Sequence, residues 1–122
     1  MINFDKHTYA RESFDKKIRS WHVPSLWEHV KDYEIIEVDV LPIIECINDY
    51  INKFDAGDWE RVMSADLSYP IIVNDICGIA DGCHRTVKAM FLGMDKIRAV
   101  RIVEFPEPMR VWNNWKDYDD NP

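Results

Sequence analysis

Residues 70–103 read PIIVNDICGIADGCHRTVKAMFLGMDKIRAVRIV, and the fold is decided here. Tyr69–Val73 is a short apolar run containing Pro70, a residue tolerated at the start of a strand. Asn74-Asp75 is a two-residue turn candidate and Ile76–Ala80 a return strand, so the spacing predicts a hairpin. Asp81-Gly82-Cys83-His84-Arg85 follows. Thr86–Leu92 then has helical spacing and is ended by Gly93. Ile97–Val103 reads as a further strand, broken off by Pro106 and Pro108.

The turn between return strand and helix carries the chemistry. A glycine at such a junction lets backbone approach a ligand closely. The first turn of the helix has unpaired N–H groups and the positive end of its dipole, which together favour an anion. His84 and Arg85 stand beside it, and an arginine can grip phosphate oxygens through two parallel hydrogen bonds. Cys83 occupies a place where a helix N-terminus and neighbouring cations would lower a thiol pKa. Lys88, one turn further on, either reaches a phosphate or projects outward. An ordinary strand-to-helix turn, with His84 capping and Arg85 paired to a surface carboxylate, fits the same five residues.

Upstream, Ile36, Val38 and Val40 alternate with Glu37 and Asp39, the period-2 pattern of a half-buried strand over 34–41 that Pro42 closes. Ile43, Ile44, Ile47, Tyr50, Ile51 and Phe54 recur at helical spacing, with Gly57 as the stop. Trp59–Ser68 is mixed and receives no assignment. Residues 1–33 read as an N-terminal helical extension: Phe4, Tyr9, Phe14 and Ile18 are loosely helical, and Pro24 opens a short helix over 24–32. Residues 105–122 form an aromatic and acidic tail with Trp112, Trp115 and Tyr118.

At 122 residues the chain holds one core. An apolar content of 47% excludes a disordered chain. A net charge of −7 counts against DNA binding by the chain alone, since phosphate neutralisation needs a basic face. No apolar run approaches the roughly 18 residues of a membrane span, and the N-terminus lacks the apolar stretch of a signal peptide. The expectation is a cytoplasmic protein. Cys46, Cys77 and Cys83 form no CxxC pair, so neither a disulfide framework nor a zinc knuckle is implied. Cys46 and Cys77 are read as core, and His7, His22 and His29 as surface or interface histidines. Trp21 and Trp27, either side of Pro24, are read as a packed lid over a sheet, and Arg98 and Arg101 as facing solvent.

The hairpin, the D-G-C-H-R turn, the helix, Gly93 and the I-R-A-V-R-I strand resemble the core of the ParB/sulfiredoxin superfamily, and the resemblance covers residues 34–104. It implies an α+β fold, a small mixed sheet with packed helices. Gly82, Cys83, His84 and Arg85 match the sulfiredoxin turn, in which the cysteine is a nucleophile and the histidine and arginine hold ATP phosphates; Asp81 replaces its first glycine. Asp81, Gly82, His84 and Arg85 match the turn of the free-serine kinases, and Glu45 stands near the place of their general base. Short stand-alone ParB-like proteins of phages and plasmids form a third branch, whose larger relatives bind CTP.

The resemblance thus implies ATP or CTP held by Asp81, Gly82, Cys83, His84, Arg85 and Lys88, with Mg²⁺ on Asp81 or Glu45. Phosphoryl transfer or hydrolysis would follow, with His84, Arg85 and Glu45 at work. Two alternatives stand beside it. One is sulfiredoxin-like thiol chemistry at Cys83. The other is a non-catalytic phage or plasmid interaction protein, whose Trp112 and Trp115 meet a host or DNA-associated partner.

Overall fold

A computed structural model describes residues 8–74 and 78–120. In chain order the elements are β1 (Thr8–Glu12), β2 (Ile18–His22), α1 (Val23–His29), β3 (Ile36–Asp39), α2 (Val40–Cys46), α3 (Asn48–Ile51) and α4 (Ala56–Ser64). Then come β4 (Ile71–Val73), β5 (Ile79–Asp81), α5 (Cys83–Phe91), β6 (Lys96–Arg101), β7 (Arg110–Trp112) and α6 (Trp115–Asp120). The architecture is α+β, with one three-stranded and one four-stranded sheet. The chain divides into two compact units, Met1–Asp32 with Glu104–Pro122, and Tyr33–Val103. No described helix is long and apolar enough to cross a membrane.

The first unit corrects the expected N-terminal helical extension and gives the aromatic and acidic tail a strand and a helix. Residues 8–12 and 18–22 are antiparallel strands, and β7 pairs with β2 to complete a sheet of order β1-β2-β7. The hairpin is closed by Asp15, whose carboxylate accepts two hydrogen bonds from Arg19 at 3.0 and 2.9 Å. Ile18, Ser20 and Trp21 are buried. Trp21 donates Nε1–H to the Pro106 carbonyl at 2.8 Å and packs on Phe105 and Tyr9 at ring separations of 4.7 and 6.0 Å. The helical reading failed because charged residues interleave the aromatics in both periods, and the strand from 110–112 that decides between them is far away in sequence. The helix after Pro24 forms as expected, as α1.

The second unit is built on the order β3-β6-β4-β5. β6 lies antiparallel to β3 and parallel to β4, with Ile71 opposite Ala99 and Val73 opposite Arg101; β4 and β5 form the expected hairpin. One face carries the core: Val40 and Ile43 from α2, Ile71 and Val73 from β4, Ala89 from α5, Ile97 and Ala99 from β6. The return strand begins at Ile79, and Asn74 N–H donates to the Gly78 carbonyl at 3.0 Å. With Val73 opposite Ile79, the connection is longer than the expected two-residue turn Asn74-Asp75. Asp75, Ile76 and Cys77, and with them the expected burial of Cys77, lie outside the described residues, as do Phe4 and His7. Cys46 is exposed and disulfide-bonded, not core. Arg98 is exposed, as expected, and its guanidinium donates to the Ser68 carbonyl.

Three boundaries differ from the sequence reading. Pro42 sits in the first turn of α2, where its missing N–H costs nothing. Gly57 lies inside α4, not at a helix stop. That helix is started by Asp55, whose carboxylate accepts from Asp58 N–H at 2.9 Å while Asp58 accepts from Asp55 N–H at 3.1 Å. Finally, α5 begins at Cys83, so Cys83, His84 and Arg85 form its first turn. Its end is as expected: Gly93 is left-handed (φ 75°), with Gly93 N–H on Met90 and Met94 N–H on Ala89.

Ile71 is fully buried and joins the core to the β5–α5 turn. Ile71→Ala is expected to lower stability by about 2–5 kcal/mol, the range for emptying a packed core site. Urea unfolding of the variant against the native chain measures it.

Candidate functional site

The β5–α5 turn is shaped by one glycine. Gly82 is the N-cap of α5 and has φ 111°, a backbone region open to glycine and strained for other residues. A Cβ there would fall 2.2 Å from Ile71 Cγ2 and 2.6 Å from Ile71 Cβ. Gly82 therefore cannot supply a capping side chain, and among the described residues no other side chain is bonded to the first-turn N–H groups in its place. The chain continues with Thr86, whose N–H and hydroxyl both reach the Gly82 carbonyl at 2.9 Å. The N–H groups before it belong to the uncapped first turn of the helix.

Arg85 is held close to this turn. Its Nη2 donates to the Pro70 carbonyl and to Asp81 Oδ2, both at 3.2 Å. Its Nε is buried without a partner, and Nη1 makes no hydrogen bond among the described residues. His84 is held by a residue that the sequence reading missed. Asp58 Oδ1 lies 3.1 Å from His84 Nε2, and 3.2 Å from Arg61 Nη1. Phe54 lies over the imidazole at 5.4 Å, and Trp59 packs edge-on against Phe54 at 5.3 Å. Burial pushes the Asp58 carboxyl up, but the Asp55 N–H, His84 and Arg61 outweigh it and hold the group below the ordinary carboxylate value. The signal for Asp58 was the D-x-x-D spacing at 55–58, a capping box with aspartate in place of the usual glutamate.

Cys83 reverses its expectation. Burial, then the nearby Asp58 charge, pushes its thiol up to about 12. The helix N-terminus does not outweigh these two effects, and at neutral pH the group is a thiol. Lys88 is also placed differently. Its Nζ donates to the carbonyls of Met63 and Ala65 at 3.0 and 2.7 Å, closing the C-terminal end of α4. Glu45 is exposed on α2 and makes no hydrogen bond or ion pair among the described residues. The structure thus brings Asp81, Gly82, Cys83, His84 and Arg85 together, adds Asp58, and leaves Lys88 and Glu45 bonded to none of them.

Among the described residues no group of three or more His, Cys, Asp or Glu is arranged to hold a metal ion. Of the two carboxylates expected near a magnesium ion, Asp81 stands at the start of α5 with Oδ2 3.2 Å from Arg85 Nη2. Glu45 does not join it.

No family model matches the chain, and no match is found among curated proteins or solved structures.

Two outcomes follow from these electrostatics. Alkylation of Cys83 by iodoacetamide is expected to be slower at neutral pH than that of a free cysteine, with a rate still rising beyond about pH 9. Asp58 is lower in the folded chain, so its contribution is present above the ordinary carboxylate pKa and lost as pH falls through the lowered one. Asp58→Asn should therefore flatten the loss of melting temperature below about pH 4.

Proposed function

We propose that the chain binds a nucleoside triphosphate, ATP or CTP, with its phosphates on the first turn of α5. The observation that carries this reading is the left-handed Gly82 packed on Ile71. It leaves the helix N-terminus without a cap from its own N-cap residue, while His84 and Arg85 stand in the same turn. Phosphate oxygens are natural acceptors for such N–H groups. Arg85 supplies further donors from a fixed position, and its salt link to Asp81 keeps the guanidinium near the turn. With Nε2 engaged by Asp58, His84 keeps Nδ1 for the ligand. Asp81 would hold Mg²⁺, which when bound neutralises charge on the phosphates. Transfer or hydrolysis would then draw on Arg85 for charge stabilisation and on the Asp58–His84 pair for proton handling.

The order strand, three helices, hairpin, glycine turn, helix, strand across 36–101 supports kinship with the ParB/sulfiredoxin proteins. A short phage- or plasmid-type member, working on the cytoplasmic nucleotide pool, accords with that kinship. The raised thiol of Cys83 weighs against the sulfiredoxin-like alternative.

A partner-binding role has one observation of its own. Trp115 at the start of α6 is 43% exposed, whereas Trp112 is covered by Arg110 at 4.1 Å and by Tyr118 at 5.8 Å. If a partner is met by this segment, Trp115 is the contact and Trp112 its support.

Calorimetric titration with ATP and with CTP, each with Mg²⁺, tests the main reading on the native chain and on Arg85→Ala. Saturable binding is expected, weakened at least about tenfold in the variant, as for loss of a charge-assisted hydrogen-bond donor. Absence of heat with both nucleotides, or equal affinity in the variant, overturns it.

A further inference from the structure

The four-stranded sheet carries a second polar constellation at the other end of β4 from the glycine turn. Along β6 the side chains of Ile97 and Ala99 lie in the core with Ile43 and Val73. By the two-residue period of a strand, Arg101 falls on the same face. It is exposed, stands opposite Val73 in the parallel register, and makes no hydrogen bond or ion pair among the described residues. Between α2 and this face runs a cavity of about 200 Å³. Val38, Pro42, Ile43 and Val73 supply its apolar lining, and Asn74 and Arg101 its polar end. Asn74 is nearly fully buried, and its Oδ1 accepts from Gly78 N–H at 2.9 Å. Asp39 also touches the cavity, but its carboxylate is taken by Lys96 at 2.8 Å. Lys96 stands opposite it on the strand position that alternation assigns to the other face.

We propose that this groove binds a short aliphatic carboxylate. A guanidinium receives a carboxylate through two parallel hydrogen bonds, a match of shape as well as charge. The apolar lining takes a hydrocarbon body, and burial of each methylene tightens binding about fourfold. The cavity is smaller than the roughly 300–1,000 Å³ of sites for drug-sized ligands, which limits the body to a handful of carbons. The parallel pair β4 and β6 delivers Asn74 and Arg101 at its carboxyl end, the edge at which open sheets with parallel strands usually receive ligands. This site is independent of the nucleotide reading, because no residue is shared with the Gly82–Arg85 turn.

The test is amide NMR of the full chain titrated with sodium hexanoate, with hexanol and hexylamine as comparisons. Saturable shifts are expected at Val38, Ile43, Val73 and Arg101 with hexanoate, and weaker binding of both comparisons. Arg101→Gln, at an exposed strand end, should keep the native spectrum and bind hexanoate at least about tenfold less tightly. Arg101→Lys should recover part of the loss. The proposal is overturned by the absence of saturable shifts up to about 10 mM hexanoate, a concentration that reveals even millimolar affinity. It is equally overturned by hexanol binding as well as hexanoate, or by native affinity in a folded Arg101→Gln.

Discussion

The contact between Gly82 and Ile71 governs the second unit. A left-handed residue ends β5 and swings the chain into α5, and the Ile71 side chain fills the space that a Cβ at position 82 would need. Ile71 is at once a rung of the parallel ladder with Ala99 and a member of the core with Val40, Ile43 and Ala89. The start of α5 is thus positioned by hydrophobic packing, not by a capping side chain. Close packing transmits that position, since a filled interior has no slack for the turn to move into. The three residues that begin the helix inherit their geometry from this single contact.

Charge around the turn is distributed in pairs. Arg85 is linked to Asp81, and His84 to Asp58, which also serves the first turn of α4 and Arg61. Lys88 takes the carbonyl end of α4, so both ends of that helix are closed by side chains. A chain of net charge −7 can still offer an anion site, because local donors are fixed and the long-range repulsion is screened within about 10 Å at ordinary salt. The same Asp58 that orients His84 opposes ionisation of Cys83. Orientation of the histidine and quiescence of the thiol therefore have one cause.

The sequence was legible where a residue acts through local backbone geometry. The hairpin, α5, Gly93, β6 and the short α1 after Pro24 follow from period and punctuation. It was illegible where distant segments choose between two local patterns. Residues 8–22 became strands because β2 found β7, and Trp21 found Pro106 and Phe105. The capping pair at 55 and 58 escaped notice because it uses two aspartates. Lys88 was assigned by its spacing from the turn and Glu45 by the resemblance, and neither says which neighbour a long side chain will meet.

By itself the sequence determined an α+β chain with a glycine turn between strand and helix, because hydrophobic period and the conformational freedom of glycine are local properties. It also determined that His84 and Arg85 stand together there, since neighbours in sequence are neighbours in a turn. Only the tertiary structure decided what those residues are bonded to. Asp58 comes from a helix 26 residues earlier, and Pro70 from the start of another strand. The Cys83 thiol rises because burial and a distant carboxylate act through space, where chain order has no bearing. The placing of Arg101 beside α2 likewise depends on a parallel pairing that no local signal encodes.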